Sequence, residues 1–383
     1  MKIKALTIST LLLTLLFSSP ATAQEELKYN PIQTVVPFLS IAPDSRSGAL
    51  GDAGVATSPD IFSMHWNPAK YAFIDGNGGF GMSYSPWLRA LIPDINLSYL
   101  TGYYRIDSKQ VVAGSLMYSS LGKIEFTDDI GSILREFNAN EFSVDAAYSR
   151  LFSEHWSGGV ALRFIYSNLT GGLEDTKPGI SYAADASAFY TNKLSLGSKD
   201  GNISFGVNLS NIGSKMSYTT EFDPDFIPMN MRVGTTFQVN LDRYNAIAVS
   251  LDVNKLLVPT PPEYDEDRNI IAGKDPNVSV PVAIFQSFYD APGGFKEELQ
   301  EFTQSVGVEY WYNQQFAIRA GYYNEAELKG NRKYFTVGAG FRLSVFSLDF
   351  SYLMPFTQNN PLARTLRFSL GFEFDSLRNL SQK

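Results

Sequence analysis

Along most of the chain, apolar and polar residues alternate one by one. Near the C-terminus Leu366, Phe368, Leu370, Phe372 and Phe374 fall on one side of the run and Arg367, Ser369, Gly371 and Glu373 on the other. A period of two is the signature of an extended strand with one oily and one polar face. Similar runs, separated by turn residues, recur over positions 77–85, 94–106, 110–119, 141–151, 156–168, 180–190 and 202–211. They continue over 230–240, 244–255, 302–312, 315–324, 333–342, 346–354 and 363–375, about fourteen in all, the even number an antiparallel membrane barrel requires.

The connections alternate as well. Tight links at 108–109, 153–155, 242–243, 313–314 and 343–345 are interleaved with long ones at 120–140, 169–179, 212–229, 256–301, 325–332 and 355–362. Short turns on one rim and long loops on the other are how outer-membrane barrels are built, with the short rim in the periplasm. The link at 191–201 is longer than its place on the short rim suggests. The pattern predicts an all-β transmembrane antiparallel barrel over 76–375, termini periplasmic, long loops at the cell surface, and a short tail at 376–383.

Facing follows from the same alternation. Val160, Leu162, Phe164 and Tyr166 point to lipid while Arg163 points inward; Phe335, Val337, Ala339 and Phe341 point outward opposite Thr336, Gly338 and Gly340. An arginine against midplane lipid costs about 2 to 4 kcal/mol, so Arg163, Arg319 and Arg367 are assigned to the interior. Outer-membrane lipid and lipopolysaccharide are then the expected surroundings. A large soluble sandwich is the competing architecture, and it accounts poorly for so many aromatic residues on one face of so many strands.

Composition sharpens this picture. The chain has 28 Phe, 21 Tyr and 30 Gly, a mix suited to strands and aromatic girdles. Lys2 and Lys4, an apolar stretch over 5–17 and Ala21-Thr22-Ala23 predict a signal peptide at 1–23. Nothing downstream is long and apolar enough for a membrane helix. A net charge of -8 without a basic stripe argues against nucleic acid.

Residues 24–75 do not alternate. They are rich in glycine and small residues, carry Asp44, Arg46 and Asp52, and include Phe38, Ile41, Phe62 and Trp66. A compact segment of this kind ahead of a barrel is expected to fold into the lumen as a plug, where glycine lets backbone approach the wall. Charges there need partners, which inward Arg163, Arg319, Arg367 or Glu373 would supply.

The run 38–57, followed by Ser58-Pro59-Asp60 and His65-Trp66-Asn67-Pro68-Ala69-Lys70, closely resembles the PorV family of type IX secretion outer-membrane proteins. That family is itself similar to the fourteen-strand FadL barrels, which share an Asn-Pro-Ala element near the N-terminus. The resemblance implies a non-enzymatic carrier that accepts secreted cargo proteins by their C-terminal signal domains at the type IX translocon. It would shuttle them to a surface sortase and attachment complex. The FadL side of the resemblance implies a different use, uptake of hydrophobic small molecules. The motif residues it singles out are Asp44, Arg46, Asp52, Trp66, Asn67, Pro68 and Ala69.

Two loops remain. The 256–301 connector opens with a stiff acidic stretch, then carries an aromatic part with Phe285, Phe288 and Tyr289 and a short helical pattern from Phe295. Loops of this length are usually functional or disordered, and an exposed aromatic patch is a plausible protein-docking site. Folding back to cap the barrel is an equal alternative. The acidic residues Glu263, Asp265, Glu266 and Asp267 lack the spacing of a calcium loop and read as solvated charge. The Pro86 to Pro93 loop, with Trp87, reads as an interfacial anchor. No catalytic set is visible: His65 and His155 are the only histidines, there is no cysteine, and no nucleophile motif occurs, so neither a lipid A deacylase activity attached to this family nor a metal or cofactor is expected.

Overall fold

The computed structural model describes residues 29–374 apart from 89–91, 93, 129, 173–174, 220–222 and 358–359. The expected signal peptide, residues 24–28, residue 375 and the expected tail at 376–383 lie outside the described residues. No helix among them is long and apolar enough to cross a membrane. The architecture is a closed antiparallel barrel. Its strands are β1 (Gly78–Pro86), β2 (Ile95–Arg105), β3 (Gln110–Thr127), β4 (Ile133–Leu151), β5 (Trp156–Asn168), β6 (Gly179–Leu196) and β7 (Lys199–Gly213). The second half comprises β8 (Asn230–Asn240), β9 (Asn245–Leu256), β10 (Thr303–Tyr312), β11 (Phe316–Asn324), β12 (Lys333–Arg342), β13 (Phe346–Pro355) and β14 (Leu366–Glu373). Each pairs with its sequence neighbour, and β14 closes the wall on β1 from Gly79↔Glu373 to Tyr84↔Phe368.

Facing follows the alternation. On β5, Val160 and Leu162 are exposed on the outer wall and Arg163 is buried inside; Phe335, Val337 and Phe341 are exposed on β12. Two connections differ from expectation. The 120–140 link is mostly ladder, because β3 and β4 continue past Ser120 through a bulge and are tied by Lys123 to Glu136 at 3.0 Å and by Arg135 stacked 4.8 Å over Phe126. The 191–201 link is likewise paired from Thr191↔Ser204 to Leu196↔Lys199, and the chain reverses at Gly197, whose φ of 63° suits glycine, so the short rim keeps its tight turn.

Residues 36–74 fill the lumen. They form a 3-10 turn (Pro37–Ser40), helix α1 (Ser45–Ala49), helix α2 (Ser63–Trp66) and a second 3-10 turn (Pro68–Phe73). α1 starts where it does because the Asp44 carboxylate accepts the Ser47 N–H at 2.9 Å. The segment bridges opposite walls. Ser45 N donates to Ser369 Oγ on β14 at 2.8 Å and Gly51 N to Thr336 Oγ1 on β12 at 2.9 Å. Across the lumen, Ser157 Oγ on β5 donates to the Ala69 carbonyl at 2.7 Å. Gly51 has φ 69°, and a Cβ there would lie 2.6 Å from Tyr322 N on β11, so the glycine permits both the conformation and the approach. Phe38, Trp66 and Tyr71 are almost fully buried. Removing a ring of that kind costs about 3 to 5 kcal/mol, so these aromatics, together with the hydrogen bonds, hold the segment in place.

Candidate functional site

The charged residues of the lumen form a relay from plug to wall. Arg46 Nη1 meets Asp60 at 2.8 Å, and its Nε and Nη2 reach both oxygens of Glu309 on β10 at 3.0 and 2.8 Å. Glu309 lies directly opposite Arg319 on β11 and also accepts its Nε at 2.6 Å, and Arg319 Nη1 continues to Asp349 on β13 at 2.6 Å. Fork-to-fork geometry of this kind suits arginine and not lysine. Burial disfavours the charge on Arg46, but Glu309 and Asp60 outweigh it and raise its proton affinity.

The predicted partners are only partly those found. Arg46 reaches Arg319 through Glu309, and among the described residues Asp44 meets no arginine: it accepts Trp66 Nε1 at 2.6 Å. Burial, then Asp60, pushes the Asp44 carboxyl up to about 6. Asp52 accepts the Tyr334 hydroxyl at 2.5 Å and stands 3.8 Å from Arg367. Arg163 turns instead to Asp145 and Asp185 on the neighbouring strands, at 2.5 and 3.2 Å. Glu373 makes no ion pair with the plug among the described residues. Burial lowers the Lys70 ammonium to about 8, and its Nζ donates to the Gly54 carbonyl and Thr57 Oγ1.

Asn67-Pro68-Ala69 is a joint between plug and wall. Asn67 Oδ1 accepts the Ala69 N–H at 3.1 Å, while Nδ2 donates to the Val55 and Ala188 carbonyls, each at 3.0 Å. An amide supplies the two donors and the acceptor that this joint uses. Pro68 opens the following 3-10 turn, where a missing N–H costs nothing, and its carbonyl accepts Ser149 Oγ. His65 packs edge-on to Trp66 at 4.9 Å; burial, then Arg232 and Arg163, holds its imidazole well below its ordinary pKa, so it is neutral. His155 lies at the short-turn rim, hydrogen-bonded to Thr191 O.

On the long-loop rim, the 256–301 connector holds a small ribbon (Glu263–Tyr264 with Ile270–Ala272), helix α3 (Val280–Gln286) and helix α4 (Phe295–Gln300). Carboxylates on one side of α4 pin it down. Lys255 Nζ meets Glu301 at 2.5 Å and Glu298 at 3.3 Å, and Lys329 Nζ meets Glu297 at 2.5 Å and Glu301 at 3.0 Å. Burial works against the Glu297 charge, and Lys329 outweighs it, holding the carboxyl below its usual range. Burial, with Glu298 and Glu301 nearby, pushes Asp290 up to about 6 against the Thr260 N–H and Lys255. With the acidic side of α4 down, Phe295, 77% exposed, and Leu299 are up; on and just after α3, Phe285 is 72% exposed, with Val282, Phe288 and Tyr289 also exposed. These aromatics do not fold back as a cap, although Lys274 stacks on Tyr289 at 3.6 Å and Lys255 lies 5.4 Å from the Phe288 ring.

Asp265 closes the turn of the ribbon by accepting the Asn269 N–H at 2.7 Å, and no acidic or histidine cluster among the described residues has the makings of a metal site. Trp87 is turned inward, not to the lipid interface, because the buried Arg367 guanidinium sits 5.7 Å over its ring; Arg89 to Leu91 and Pro93 of that loop lie outside the described residues.

A family model described as type IX secretion system protein PorV matches residues 22–263. The chain belongs to the PorV family. As a member of that family it is a type IX secretion component and an integral outer-membrane barrel. Solved structures similar to this PorV chain include the Pseudomonas putida toluene transporter TodX, at 10% identity and TM-score 0.48 over 86% of this chain and 98% of that one. The CymD monoaromatic hydrocarbon channel matches at 11% and 0.46 over 87% and 98%, and a Pseudomonas aeruginosa FadL homologue at 10% and 0.43 over 90% and 99%. No curated protein is a significant match.

Proposed function

We propose that this barrel is a non-enzymatic carrier of secreted proteins. It binds their C-terminal signal domains at the type IX translocon and delivers them to a surface sortase and attachment complex. In this reading the long-loop rim faces the cell surface, the short turns and both termini face the periplasm, and the outer wall meets lipid and lipopolysaccharide.

The observation that carries the reading is the exposure of Phe285, Phe288 and Tyr289 on and just after α3 and of Phe295 on α4, the latter helix braced by ion pairs beneath it. Aromatic residues displayed on a braced element are what protein hot spots are made of. A channel for hydrophobic small molecules needs instead a continuous apolar passage. Here the plug bridges the lumen, and a strongly apolar cavity of about 370 Å³ lies on the outside of the wall, lined by Met82, Leu100, Leu116, Leu348 and Phe368. Relay carboxylates and arginines inside the barrel are consumed by one another, which suits a rigid scaffold.

The test is a photo-crosslinking residue placed at 285 or 295 in living cells, with affinity purification from the outer membrane. Signal-bearing cargo and translocon components are the expected adducts. Normal release and anchoring of cargo in a strain lacking the protein would overturn the proposal.

A further inference from the structure

Inside the barrel, above the plug, lies a polar chamber of about 110 Å³ lined by His65, Trp66, Arg163, Arg232, Asn254 and Arg332, among others. It shares Ser40, Leu256, Glu325 and Arg332 with a vestibule of about 570 Å³ that runs along the N-terminal segment toward Glu301 and Lys329 of the long-loop side. The chamber has room for a small ion or a few waters, not for an acyl chain.

Its three arginines are not equivalent. Arg163 is neutralised by Asp145 and Asp185, and Arg332 by Glu325, which takes its Nε at 2.9 Å and its Nη2 at 2.7 Å. Arg232 has no carboxylate within ion-pair distance among the described residues. Its guanidinium lies 4.4 Å over the Trp66 ring, and its Nε donates to Asn254 Oδ1 at 2.5 Å. Among the described residues its two terminal amino groups have no hydrogen-bond partner, although Asp52 and Asp252 are near enough to act on its charge. An interior cation with no carboxylate in contact is costly unless a ligand supplies one. Beside it is His65, neutral and likewise without a hydrogen-bond partner among the described residues, so its ring can donate an N–H.

We propose that this chamber binds a carboxylate, with the free edge of Arg232 supplying the charge and His65 the neighbouring N–H. A planar two-oxygen anion matches the two terminal amino groups of a guanidinium. The carboxylate belongs to a small free acid or to the end of a peptide entering by the vestibule.

The two histidines make the site readable. With histidine labelled at ring carbon, the full-length barrel in non-ionic detergent is titrated with acetate at constant ionic strength, and His155 at the opposite rim serves as internal control. Acetate is expected to shift the His65 resonance saturably and to raise its titration midpoint by about one pH unit, as an anion within contact distance does. Acetamide leaves it unmoved, and Arg232→Gln weakens the acetate response at least tenfold. A tripeptide with a free C-terminus that displaces acetate, when its amidated form does not, identifies a chain end as the source; acetate binding without competition identifies a small acid. Equal responses to acetate and acetamide, or no saturable response in the wild-type protein, would overturn the assignment without reliance on any variant.

Discussion

Arg46 and Glu309 lie 263 residues apart and meet through two parallel hydrogen bonds, Nε to Oε2 at 3.0 Å and Nη2 to Oε1 at 2.8 Å. The pair joins the plug to the wall at a point where water is excluded, and Glu309 is shared with Arg319. Removing one member of a buried pair strands the other's charge, which costs about 3 to 5 kcal/mol. Glu309→Ala is therefore expected to lower the temperature at which the barrel loses its compact, fast-migrating form on gels, and to expose the 36–74 segment to added protease. An unchanged transition with an intact segment would show that the relay does not hold the plug.

Arg367 and Arg319 point inward from β14 and β11, yet their surroundings differ. Among the described residues all three guanidinium nitrogens of Arg367 lack a hydrogen-bond partner, with Asp52 at 3.8 Å, whereas Arg319 is engaged by Glu309 and Asp349. The long contact to the part-exposed Asp52 and the Trp87 ring offset little of the cost of burying this cation, so an apolar side chain of similar length removes more than it loses. Arg367→Met is expected to change stability by less than about 1 kcal/mol or to raise it, while Arg319→Met costs about 3 to 5 kcal/mol. Heat-induced gel shifts of the two variants side by side give the comparison, and equal losses would refute it.

These contrasts show what the sequence carried and what it could not. The period of two placed Arg163, Arg319 and Arg367 on the inner face, because lipid permits no other assignment for a charge at mid-strand. Strand order followed from tight turns for the same reason. Partner choice was not local: Glu309 occupies an inward position between Val308 and Tyr310, readable as such, but nothing in the chain ties it to Arg46 rather than to any other cation. The acidic underside of α4 was hidden likewise. Glu297 and Glu301 alternate with Phe295 and Leu299 as in any solvated helix, and only the fold brings Lys255 and Lys329 beneath them. The extra ladder on β3, β4, β6 and β7 leaves no mark in the alternation, because polar pairs such as Lys123 and Glu136 sustain strands without it.

Asp290 gives the loop a pH dependence. Its carboxyl is buried and pushed up to about 6, above its ordinary value near 4, so folding of the loop is favoured most when the group is protonated. That contribution is complete below pH 4 and is lost as pH rises through about 6, where the charge joins Glu298 and Glu301. Asp290→Asn keeps an oxygen for the Thr260 N–H and adds no charge. The variant is expected to resist amide hydrogen exchange over 256–301 better than the wild-type protein at pH 7 to 8 and equally below pH 4, with each rate referred to that of unstructured chain at the same pH and read by mass spectrometry. A wild-type loop more resistant at pH 8 than at pH 5 would reverse the sign and sink the assignment.

The aromatic face can be separated from the scaffold beneath it. Phe285 and Phe295 are 72% and 77% exposed, so Phe285→Ser with Phe295→Ser removes little buried area and is expected to alter stability by no more than about 0.5 kcal/mol per site. If cargo docks there, the same change removes two anchors, and truncating such an anchor weakens binding by about 2 kcal/mol or more, near thirtyfold in affinity for each. Copurified signal-bearing cargo should fall steeply in the double variant while barrel yield and gel mobility stay constant. Ala283→Asp tests the opposite case: Ala283 is fully buried on the other side of α3, so a charge there should disturb the loop itself and lower its protease resistance. Undiminished cargo recovery in the double serine variant, together with loss in Ala283→Asp, would place docking elsewhere on the loop and leave its fold as the only requirement.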